Sequence, residues 1–581
     1  MARILDVDMN LLTVKESPFP EEWLLYGGRG LSSKLICDMV DPAADPLGPE
    51  NVLLFCPLVL AGTAAPSGSR LSVGFKSPLT GTIKESNAGG MLGYMLGMQD
   101  IRAIIIRNKP EGDGWWLLHI DAQGVLSIKS ADKYAGQNNY DLQTSLRKDF
   151  GDNIATGTIG VAGERLYYSA SIITTEFLTN HPNRAAGRGG GGAVMGSRRL
   201  KAIVVEKPAL PFRFPYADKD LFMKTLKRHQ QAHEDSPLMG IRFIGTSGNL
   251  GNAAKGGILP VRNFSGELFE KEKLDRIEPD VMRETILSRG GKVAQRCMPG
   301  CIGMCSNEVH DKNRKFLTGS LEYETIGLCG PNCDISDFDL ITEMDRFCDN
   351  IGIDTMEFGT AVGVAMDSGI IPWGDSAAVR GIMDEMYRGE GLGEKIGMGT
   401  ERFGRSIGAK RIPTVKGQAI SAYEPRAHKA LGVTYAVSTM GADHTAGMVH
   451  TGPGGAPTDK DQKPYYSLLG QLDSMVQDFY MCTFNWGSAM SDPTILTDYI
   501  KGAFGVDATF SKLEELGVET LVAEDDFNKR AGFKPEDDDL PEFFRTQPSA
   551  MGGAVYDFTP EELQSAKQYK SLLKGMDLNE K

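Results

Sequence analysis

Three closely spaced cysteines, Cys297, Cys301 and Cys305, form the densest group of candidate metal ligands in this 581-residue chain. Three residues separate each cysteine from the next, and the small residues between them let one loop turn the thiolates toward a common point. Four thiolates commonly bind an iron–sulfur cluster, so a fourth cysteine is expected from elsewhere. A structural zinc site is the alternative that the spacing leaves open, although zinc ligands usually come as two close pairs.

Three glycine-rich turns, Tyr26–Leu31, Glu85–Gly90 and Arg184–Ala193, point to a second kind of site. Such turns expose backbone N–H groups, and with arginine side chains they suit phosphate groups. None of them matches a Walker A loop or the dinucleotide-binding fingerprint. Any one could be an ordinary tight turn, but three in one strand-rich region indicate a large phosphorylated ligand.

Candidate acid–base residues occur in two short segments, Glu322–Thr325 and Gly441–Gly447. The first segment contains Tyr323 and Glu324, and the second contains His444. These side chains can donate or accept protons near neutral pH. Taken alone, Glu324 and His444 are better explained as an ordinary surface glutamate and an ordinary loop histidine.

The elements that would position these residues change in character along the chain. Residues 1–207 are rich in strand patterns, and the proline-rich segment 207–215 resembles a linker. Helical periodicity dominates afterwards. We therefore predict an α+β protein with a β-rich N-terminal domain (1–207) followed by two mainly α-helical domains. The second domain (208–413) carries the three clustered cysteines, and the third spans residues 414–581.

Individual elements are also predicted. Arg3–Lys15 has the pattern of a β-hairpin. Ser336–Asn350 has apolar residues at helical spacing, with Ser336 as the predicted N-cap. Thr451–Pro457 is a glycine- and proline-rich loop, and Pro560–Leu573 is predicted to be a surface helix.

Charge and composition exclude several classes of function. The formal net charge is −14, and an acidic surface repels phosphate backbones, so nucleic acid is not an expected partner. No run approaches the ~20 apolar residues of a membrane span, and no signal-peptide pattern is present. We expect a cytoplasmic protein, in which nine cysteines favour metal binding over disulfides.

In combination, these residues resemble the aldehyde ferredoxin oxidoreductase family of tungsten enzymes. The resemblance covers about Arg3–Trp486 in consistent order. The motifs that carry it are Tyr26–Leu31, Lys76–Gly81, Ser86–Gly90, Gly187–Gly196, Glu322–Thr325, Gly330–Cys333 and Asp349–Asp354. The ordered set is far more specific than any one motif, and it implies that the N-terminal domain binds pterin.

The resemblance implies three cofactors: tungsten or molybdenum held by two pterin dithiolenes, a magnesium ion that bridges the pterin phosphates, and one 4Fe–4S cluster. The cluster ligands would be Cys297, Cys301, Cys305 and Cys482. Backbone oxygens of Asn87 and Ala185 would bind the magnesium. The remaining cofactor-binding positions would be Arg70, Ala88, Gly89, Arg184, Gly187, Arg188, Gly189, Asp349, Gly352 and Asp354.

Three features depart from the family pattern. The best-known members have two residues between the first two cluster cysteines, and here three intervene, as in a divergent branch with a Cys-Met-Pro-Gly-Cys motif. Gln477–Met481 replaces the usual Asp and Gly of the second pterin motif before Cys482, which leaves the second-pterin contacts unassigned. Cys329 lies near the metal-facing segment, where a buried structural thiol is the favoured interpretation.

The implied reaction is oxidation of an aldehyde to a carboxylic acid. Glu324 would activate water or accept a proton, His444 would hydrogen-bond the aldehyde oxygen, and Tyr323 would orient the substrate. Electrons would pass through the cluster to a ferredoxin or to an iron–sulfur subunit, in a hetero-oligomer or a homodimer. The physiological aldehyde and the choice between tungsten and molybdenum stay open.

The sequence leaves two alternative functions open. The first is a low-potential reductase of an aromatic thioester or a carboxylic acid. In a related branch with that activity a cysteine binds tungsten, and Thr325 occupies about that position here. The second is a non-catalytic iron–sulfur electron-transfer subunit, which would not need the pterin loops.

Overall fold

The N-terminal region contains twelve strands among the residues that the structure describes. The computed structural model describes residues 2–209, 214–449 and 459–573. The strands are β1 (Arg3–Asp8), β2 (Thr13–Pro18), β3 (Val52–Pro57), β4 (Leu71–Lys76), β5 (Ile83–Ala88), β6 (Ile101–Arg107), β7 (Trp116–Ile120), β8 (Leu126–Ser130), β9 (Ile154–Thr158), β10 (Ile172–Thr175), β11 (Pro182–Ala186) and β12 (Leu200–Glu206). The predicted N-terminal hairpin is confirmed, because β1 and β2 pair in antiparallel fashion.

These strands form two mixed sheets of six strands each. Their orders are β2-β1-β6-β3-β4-β5 and β11-β10-β9-β12-β7-β8. Each sheet has one parallel pair, β1 with β6 and β7 with β12. Leu5 and Phe55 from the first sheet and Leu117 and Val204 from the second are fully buried in one shared core. Burial of each such side chain contributes roughly 1.5–3 kcal/mol.

Five short helices accompany the sheets. They are α1 (Gly28–Met39), α2 (Leu92–Met98), α3 (Asn139–Phe150), α4 (Val161–Glu164) and α5 (Gly191–Ser197). Strands β3 and β4 are buried along their whole length, and α1 packs against both of them. Two of the predicted glycine-rich turns lead into helices: Tyr26–Leu31 enters α1, and Arg184–Ala193 runs from β11 into α5. The prediction of a turn at Glu85–Gly90 was wrong for its first four residues, which belong to strand β5.

The rest of the described chain is mostly helical. Its helices are α6 (Lys219–Glu234), α7 (Leu250–Lys255), α8 (Lys271–Leu274), α9 (Pro279–Ser288), α10 (Tyr323–Cys329), α11 (Phe338–Ile351), α12 (Thr355–Asp367), α13 (Ser376–Arg388), α14 (Gly391–Gly397), α15 (Thr400–Ser406), α16 (Lys429–Val437), α17 (Lys463–Tyr480), α18 (Thr483–Met490), α19 (Thr494–Phe504), α20 (Phe510–Arg530), α21 (Phe543–Thr546) and α22 (Pro560–Ser565). The predicted α+β class is thereby confirmed.

Two small sheets interrupt the helices. One has the strands β13 (Lys292–Gln295), β14 (Ser306–His310) and β15 (Phe316–Gly319), and the other is the hairpin of β16 (Thr414–Val415) and β17 (Gln418–Ala419). The helical pattern did not predict the three-stranded sheet, because four- and five-residue strands leave little periodicity. Its β13–β14 connection contains the three clustered cysteines, so the sheet positions the cysteine loop.

The N-cap of helix α11 lies one residue later than predicted. Asp337, rather than Ser336, is the N-cap, and its carboxylate accepts a hydrogen bond of 3.0 Å from the backbone N–H of Asp339. A carboxylate is favoured here because it also interacts well with the positive end of the helix dipole. The predicted apolar stripe is buried, and the helix ends at Gly352 in the left-handed conformation, with φ of 80°.

The helical regions pack on the sheets and on each other. Helix α1 contacts α17 and α20, and α6 contacts α18 and α19. One apolar core includes residues of the N-terminal region, of α10–α12 and of the final segment. The cavity described below lies among these packed regions. Within the described ranges, no helix combines the length and the apolar character that a bilayer crossing requires.

Three predicted segments lie partly outside the described residues or differ from the prediction. The loop Thr451–Pro457 lies outside the described residues, and so does part of the proline-rich segment 207–215. The last predicted helix is shorter than expected, since α22 ends at Ser565. The chain then turns inward and buries Tyr569, whose hydroxyl donates to Gln471 Oε1 at 2.9 Å.

Candidate active site

One cavity of about 1080 Å³ brings together side chains from distant parts of the sequence. It lies among β5, β11, the β13–β14 connection, α10 and the segment from α17 to α18. The predicted site residues that line it are Arg70, Asn87, Gly89, Arg184, Ala185, Gly187, Arg188, Cys297, Cys301, Cys305, Glu324, Asp349, Asp354, His444 and Cys482. Of the other predicted residues, Ala88, Gly189, Gly352 and Tyr323 lie behind this lining.

The four cysteines predicted as cluster ligands share one end of the cavity. Cys297, Cys301 and Cys482 are buried, and Cys305 is partly buried. Cys482 is the N-cap of α18, and its backbone N–H donates to the carbonyl of Ser67 at 3.1 Å. This contact fixes the distant fourth cysteine against the N-terminal region.

The thiols at this end influence one another. A hydrogen bond with Cys297 lowers the pKa of the Cys301 thiol to about 5, and the same bond together with burial raises the pKa of Cys297. Among the described residues, no three Cys, His, Asp or Glu side chains are grouped as the ligands of a single ion. Four thiols at one end of a cavity are the number of ligands that an iron–sulfur cluster uses.

Two arginines stand among these thiols. Arg70 Nη1 donates to Cys482 Sγ at 3.7 Å. Arg184 donates to Glu176 at 3.1 Å and also to Ser306. Burial of Arg184 disfavours its charge, but Cys297 and Glu176 outweigh that effect and raise its pKa. Fixed guanidinium charges stabilise thiolates, so this end suits anionic ligands.

The turn between α11 and α12 positions two aspartates toward the cavity. Asp349 lies in the last turn of α11, and Gly352 lets the chain reverse because its φ is positive. Asp354 then caps α12 by accepting from Met356 N–H at 2.9 Å, and its other oxygen accepts from Arg188 Nε at 3.2 Å. Burial raises the pKa of both aspartates. Asp349, Asp354 and Arg188 are named here the first carboxyl set.

The two predicted magnesium positions lie on β5 and β11, and these two strands pack against each other. Asn87 lies on β5 and Ala185 on β11. Gly189 does not line the cavity, and its φ of +84° together with its contact with Lys84 explains why this position is glycine. Local packing and backbone conformation therefore explain part of the glycine content of this turn.

The acid–base candidates form a pair at another part of the cavity. His444 Nε2 lies 3.2 Å from Glu324 Oε1, although that oxygen lacks an aligned hydrogen bond. His444 Nδ1 lies 3.0 Å from Ser421 Oγ, which also accepts from Arg188. Burial raises the pKa of Glu324, and the nearby histidine partly offsets that rise. A buried carboxyl with a raised pKa beside an imidazole is a candidate proton acceptor.

Tyr323 and Tyr423 have different positions relative to this pair. Tyr323 is fully buried, and its hydroxyl donates to the carbonyl of Ala422 at 2.7 Å. Tyr423 lines the cavity, with its ring 5.0 Å from that of Tyr323 and 5.7 Å from that of His444. Tyr423 is therefore the tyrosine placed to meet a ligand, and the sequence motif did not single it out.

Asp443 was also missed, although it directly precedes His444. Its carboxylate is 2.8 Å from Lys84 Nζ and 4.0 Å from Arg188. Burial opposes ionisation of Asp443, but Lys84 and Arg188 outweigh it and hold the pKa well below its usual range. The same aspartate accepts from Thr445 N–H at 3.1 Å and so fixes the short helical turn that holds His444.

Glu85 and Asp478 are further cavity residues that sequence reasoning missed. Two residues before Asn87 on β5, Glu85 shares a strand face with it, and that period of two was the available signal. Asp478 lies on α17 within the altered segment Gln477–Met481. Cys329, by contrast, does not line the cavity, and its thiol donates to the carbonyl of Thr355 at 3.8 Å.

Several buried polar atoms at the cavity have no partner within the described chain. They are Glu85 Oε1, Asn183 Nδ2 and Oδ1, Arg184 Nε, Glu324 Oε1 and Asn485 Oδ1. Each unpartnered buried group costs about 1–3 kcal/mol unless a ligand or water satisfies it. These atoms offer both acceptors and donors, which a large polar ligand such as the implied pterin cofactor could satisfy.

Comparisons with known proteins agree with this chemistry. Two family models match: aldehyde ferredoxin oxidoreductase, N-terminal domain, over residues 4–207, and domains 2 and 3 of the same family over residues 224–572. The tungsten-containing aldehyde ferredoxin oxidoreductase of Pyrococcus furiosus is 30% identical, over 95% of this chain and 92% of that protein. The aliphatic sulfonate oxidoreductase, WOR-like subunit, of the same organism is 28% identical over 76% of this chain and 74% of that protein.

A solved structure has the same fold. It is the active site complex BamBC of benzoyl coenzyme A reductase with 1,5-dienoyl-CoA, with a TM-score of 0.78. The match covers 98% of this chain and 94% of that chain at 17% identity. At this identity the likeness concerns the fold alone.

Proposed function

This chain belongs to the aldehyde ferredoxin oxidoreductase family, and from that premise we propose that it oxidises aldehydes to carboxylic acids at a tungsten bis-pterin centre. The chain is an oxidoreductase by that membership. The observation that carries the finer proposal is the pair of Glu324 and His444, 3.2 Å apart, in the same cavity as the four cysteines.

The reaction converts an aldehyde and water into a carboxylic acid, two protons and two electrons. Tungsten held by the pterin sulfurs would supply the two-electron redox chemistry. Glu324 accepts the proton of the attacking water, because burial has raised its pKa toward the working range of a general base. His444 Nε2 hydrogen-bonds the aldehyde oxygen, and Ser421 orients the ring through Nδ1.

The residues that would hold the cofactors fit their chemistry. Cys297, Cys301, Cys305 and Cys482 would bind the 4Fe–4S cluster, with Arg70 beside it. Asp349 and Asp354 would bind ring nitrogens of one pterin, and Arg188 would lie at the pterin phosphates. Backbone oxygens of Asn87 and Ala185 would bind magnesium. We assign to Tyr423 the substrate-orienting role that the sequence suggested for Tyr323, because the ring of Tyr423 lines the cavity.

Electrons would leave through the cluster to another protein. In the described cavity lining the only cysteines are the four assigned to this cluster, so a second cluster has no thiol ligands there. We therefore propose that a ferredoxin or an iron–sulfur subunit accepts the electrons one at a time. An acidic chain with a net charge of −14 would meet such a partner best through a basic patch on one of the two surfaces.

The described cavity wall favours an uncharged substrate with an apolar chain. Near His444 the wall includes Ile258, Leu431, Met448 and Val449. Its arginines, within the described ranges, are Arg70, Arg184 and Arg188, all beside the cysteines or the first carboxyl set. No lysine occurs in that described lining, so it offers little to the phosphates of a coenzyme A thioester.

The thioester-reductase alternative is further weakened by the thiols present. In the described lining the only cysteines are the four assigned to the cluster, and Thr325 stands where that branch has its tungsten-binding cysteine. Cys329, which the sequence left as a candidate, is buried behind the lining. The shared fold with BamBC does not by itself favour either reaction.

Metal analysis and an aldehyde screen test the proposal together. Anaerobically purified protein should contain about one tungsten or molybdenum per chain and should reduce a viologen dye with short, long or aromatic aldehydes. Aliphatic and aromatic aldehydes should be oxidised faster than phosphorylated ones. Protein that contains iron alone, or that is fully metallated yet reacts only with a thioester, would refute the proposal.

A further inference from the structure

Ser67 is a buried polar residue at the cysteine end of the cavity that the proposed reaction does not use. It is only 1% exposed, and it lines the same cavity as the four cysteines. Its backbone is in the left-handed region with φ of 52°, which is uncommon for a residue other than glycine. Its carbonyl accepts the hydrogen bond from Cys482 N–H described above. The loop that contains Ser67 is therefore fixed beside the proposed cluster.

The surroundings of Ser67 also pack against the loop of the three clustered cysteines. A Cβ atom placed on Gly300 would lie 3.7 Å from the carbonyl oxygen of Ala65. A Cβ atom placed on Gly303 would lie 3.2 Å from Asn485 Oδ1. Asn485 is fully buried in the first turn of α18, whose N-cap is Cys482. The cysteine loop therefore packs against both the Ser67 loop and the start of α18.

The hydrogen bond with Asn485 determines how the Ser67 hydroxyl can be used. Asn485 Nδ2 donates to Ser67 Oγ. An amide nitrogen can only donate, so this bond occupies a lone pair of the serine oxygen and leaves the serine hydrogen free to donate elsewhere. A hydroxyl that is buried and held on one side by a donor is a good donor to an anionic group on its other side.

Cys301 carries the sulfur that this hydroxyl reaches. A hydrogen bond with Cys297 is the largest cause of the lowered pKa of Cys301, and bonds from Met304 N–H and from the Ser67 hydroxyl add to it. The Met304 bond is 3.4 Å long. Both thiols lose their protons when they bind iron, so the bond between Cys297 and Cys301 disappears in the assembled cluster. The donors from Met304 and Ser67 remain.

We propose that the Ser67 hydroxyl donates a hydrogen bond to the cluster-bound sulfur of Cys301 and so raises the reduction potential of the 4Fe–4S cluster. Reduction adds one electron to the cluster, and part of the added negative charge falls on the thiolate sulfurs. A donor to such a sulfur therefore stabilises the reduced cluster more than the oxidised cluster. No proton is transferred in this step. The inference rests on the proposed function, because it assumes that the four cysteines bind the cluster.

The cluster potential of anaerobically purified protein with full iron content tests this inference without relying on activity. Ser67→Ala removes the hydroxyl and keeps the backbone carbonyl that accepts from Cys482. The equilibrium constant for one-electron reduction should fall about three- to tenfold, a decrease of about 30–60 mV at about 59 mV per tenfold. Redox titration followed by electron paramagnetic resonance measures this shift. Electron–nuclear double resonance in H2O and D2O should also show one exchangeable proton at the wild-type cluster that is absent from the variant.

A second variant, Ser67→Gly, separates the effect of the hydroxyl from that of the backbone conformation. Glycine adopts the φ of 52° found here more readily than serine or alanine does, so this variant should fold even if Ser67→Ala does not. Both variants lack the same hydroxyl and should lower the potential by the same amount. Shifts of opposite sign would overturn the inference, because the conformation of the loop would then control the potential.

Ser69→Ala is the matched control. Ser69 is 2% exposed and lies in the same loop, but it does not line the cavity, and its hydroxyl oxygen accepts from Gly62 N–H at 3.2 Å. The cluster of this variant should keep the wild-type potential. An equal decrease in Ser69→Ala would overturn the inference, because any hydroxyl lost from this loop would then have the same effect.

The remaining outcomes separate this inference from the proposed function. Wild-type protein without a 4Fe–4S cluster would refute the cluster assignment and this inference with it. A wild-type cluster whose potential is unchanged in both Ser67 variants at full iron content would overturn the inference alone, whatever the aldehyde activity. Loss of iron from both variants would also overturn it, because Ser67 would then be needed to assemble the cluster and not to set its potential.

Discussion

The cysteine end and the acid–base end of the cavity are both buried, but their charges differ. At the cysteine end, Arg70 contacts Cys482 and opposes the rise in thiol pKa that burial causes. At the other end, the one ion-pair partner of Glu324 among the described residues is His444. His444 offsets only part of the effect of burial, so the pKa of Glu324 stays raised. Fixed guanidinium charges suit permanent anionic ligands, whereas a weakly opposed carboxyl suits a proton that must be exchanged.

The largest effect is expected from neutralising the acid–base end. Glu324→Gln should lower kcat for aldehyde oxidation by about 10²–10⁴, because the amide cannot accept the proton of water. Iron and tungsten contents should not change, since Glu324 is assigned to neither metal. Steady-state assays on metal-analysed protein measure both quantities.

Glu322→Gln serves as the control for that change. Glu322 loses the same charge two residues away, but its carboxylate is held by Ser320 at 2.7 Å and by Thr246. The Glu322→Gln variant should lower kcat much less than the Glu324→Gln variant does. Equal losses would show that local charge, not proton acceptance by Glu324, controls the rate.

His444 is expected to have the next largest effect. His444→Gln should lower kcat by about 10²–10³, which is the usual loss when one donor to a developing oxyanion is removed. The KM should change less than kcat, because the hydrogen bond strengthens in the transition state. A variant that changed only KM would place His444 in substrate binding and would contradict its assigned role.

At the cysteine end, removing a guanidinium should alter the cluster rather than the chemistry of the aldehyde. Arg70→Met should lower the reduction potential of the cluster, on the order of 100 mV, because a nearby positive charge stabilises the reduced state. Redox titration followed by electron paramagnetic resonance measures the shift. An unchanged potential with full iron content would show that Arg70 is too distant or too solvated to matter.

The pH dependence should show the raised pKa of Glu324. As a general base Glu324 works ionised, so kcat should fall as the pH drops through its folded-state pKa. Burial raises that pKa, and the acid limb should therefore lie above the ordinary glutamate value of about 4.3. A profile that is flat down to that value would contradict the assignment.

The smallest effect is expected at the tyrosine beside the pair. Tyr423→Phe should lower kcat/KM by a few-fold, about the effect of one neutral hydrogen bond of 0.5–1.5 kcal/mol. Tyr323→Phe should affect stability instead, because its hydroxyl bonds Ala422 behind the cavity wall. The two variants can be compared by kinetics and by thermal unfolding. A kinetic loss confined to Tyr323→Phe would reverse the roles given to the two rings.

Much of the fold followed from pattern. The N-terminal hairpin and the apolar stripe of α11 were predicted because period two and period 3.6 are visible in those segments. The β13–β14–β15 sheet was not, since its strands are too short to show a period. The cap of α11 was misplaced by one residue because Ser336 and Asp337 are both good caps, and only the folded contact with Asp339 distinguishes them.

For the site, the ordered motifs indicated the cysteines, the first carboxyl set and the acid–base pair, and the structure places all of them at one cavity. Tyr423 and Asp478 could not be found in that way. Their proximity depends on how α17 and the segment before α16 pack against β5 and α10. Such contacts between distant residues leave no local pattern in one sequence.

The most direct test of the account follows the oxygen and the electrons of one reaction. The metallated protein is mixed anaerobically with an apolar aldehyde in water labelled with oxygen-18, with ferredoxin as acceptor. We expect the carboxylic acid to gain one oxygen from water and two electrons to reach ferredoxin for each acid formed. Fully metallated protein that forms no labelled acid, or that transfers electrons without consuming aldehyde, would contradict the account.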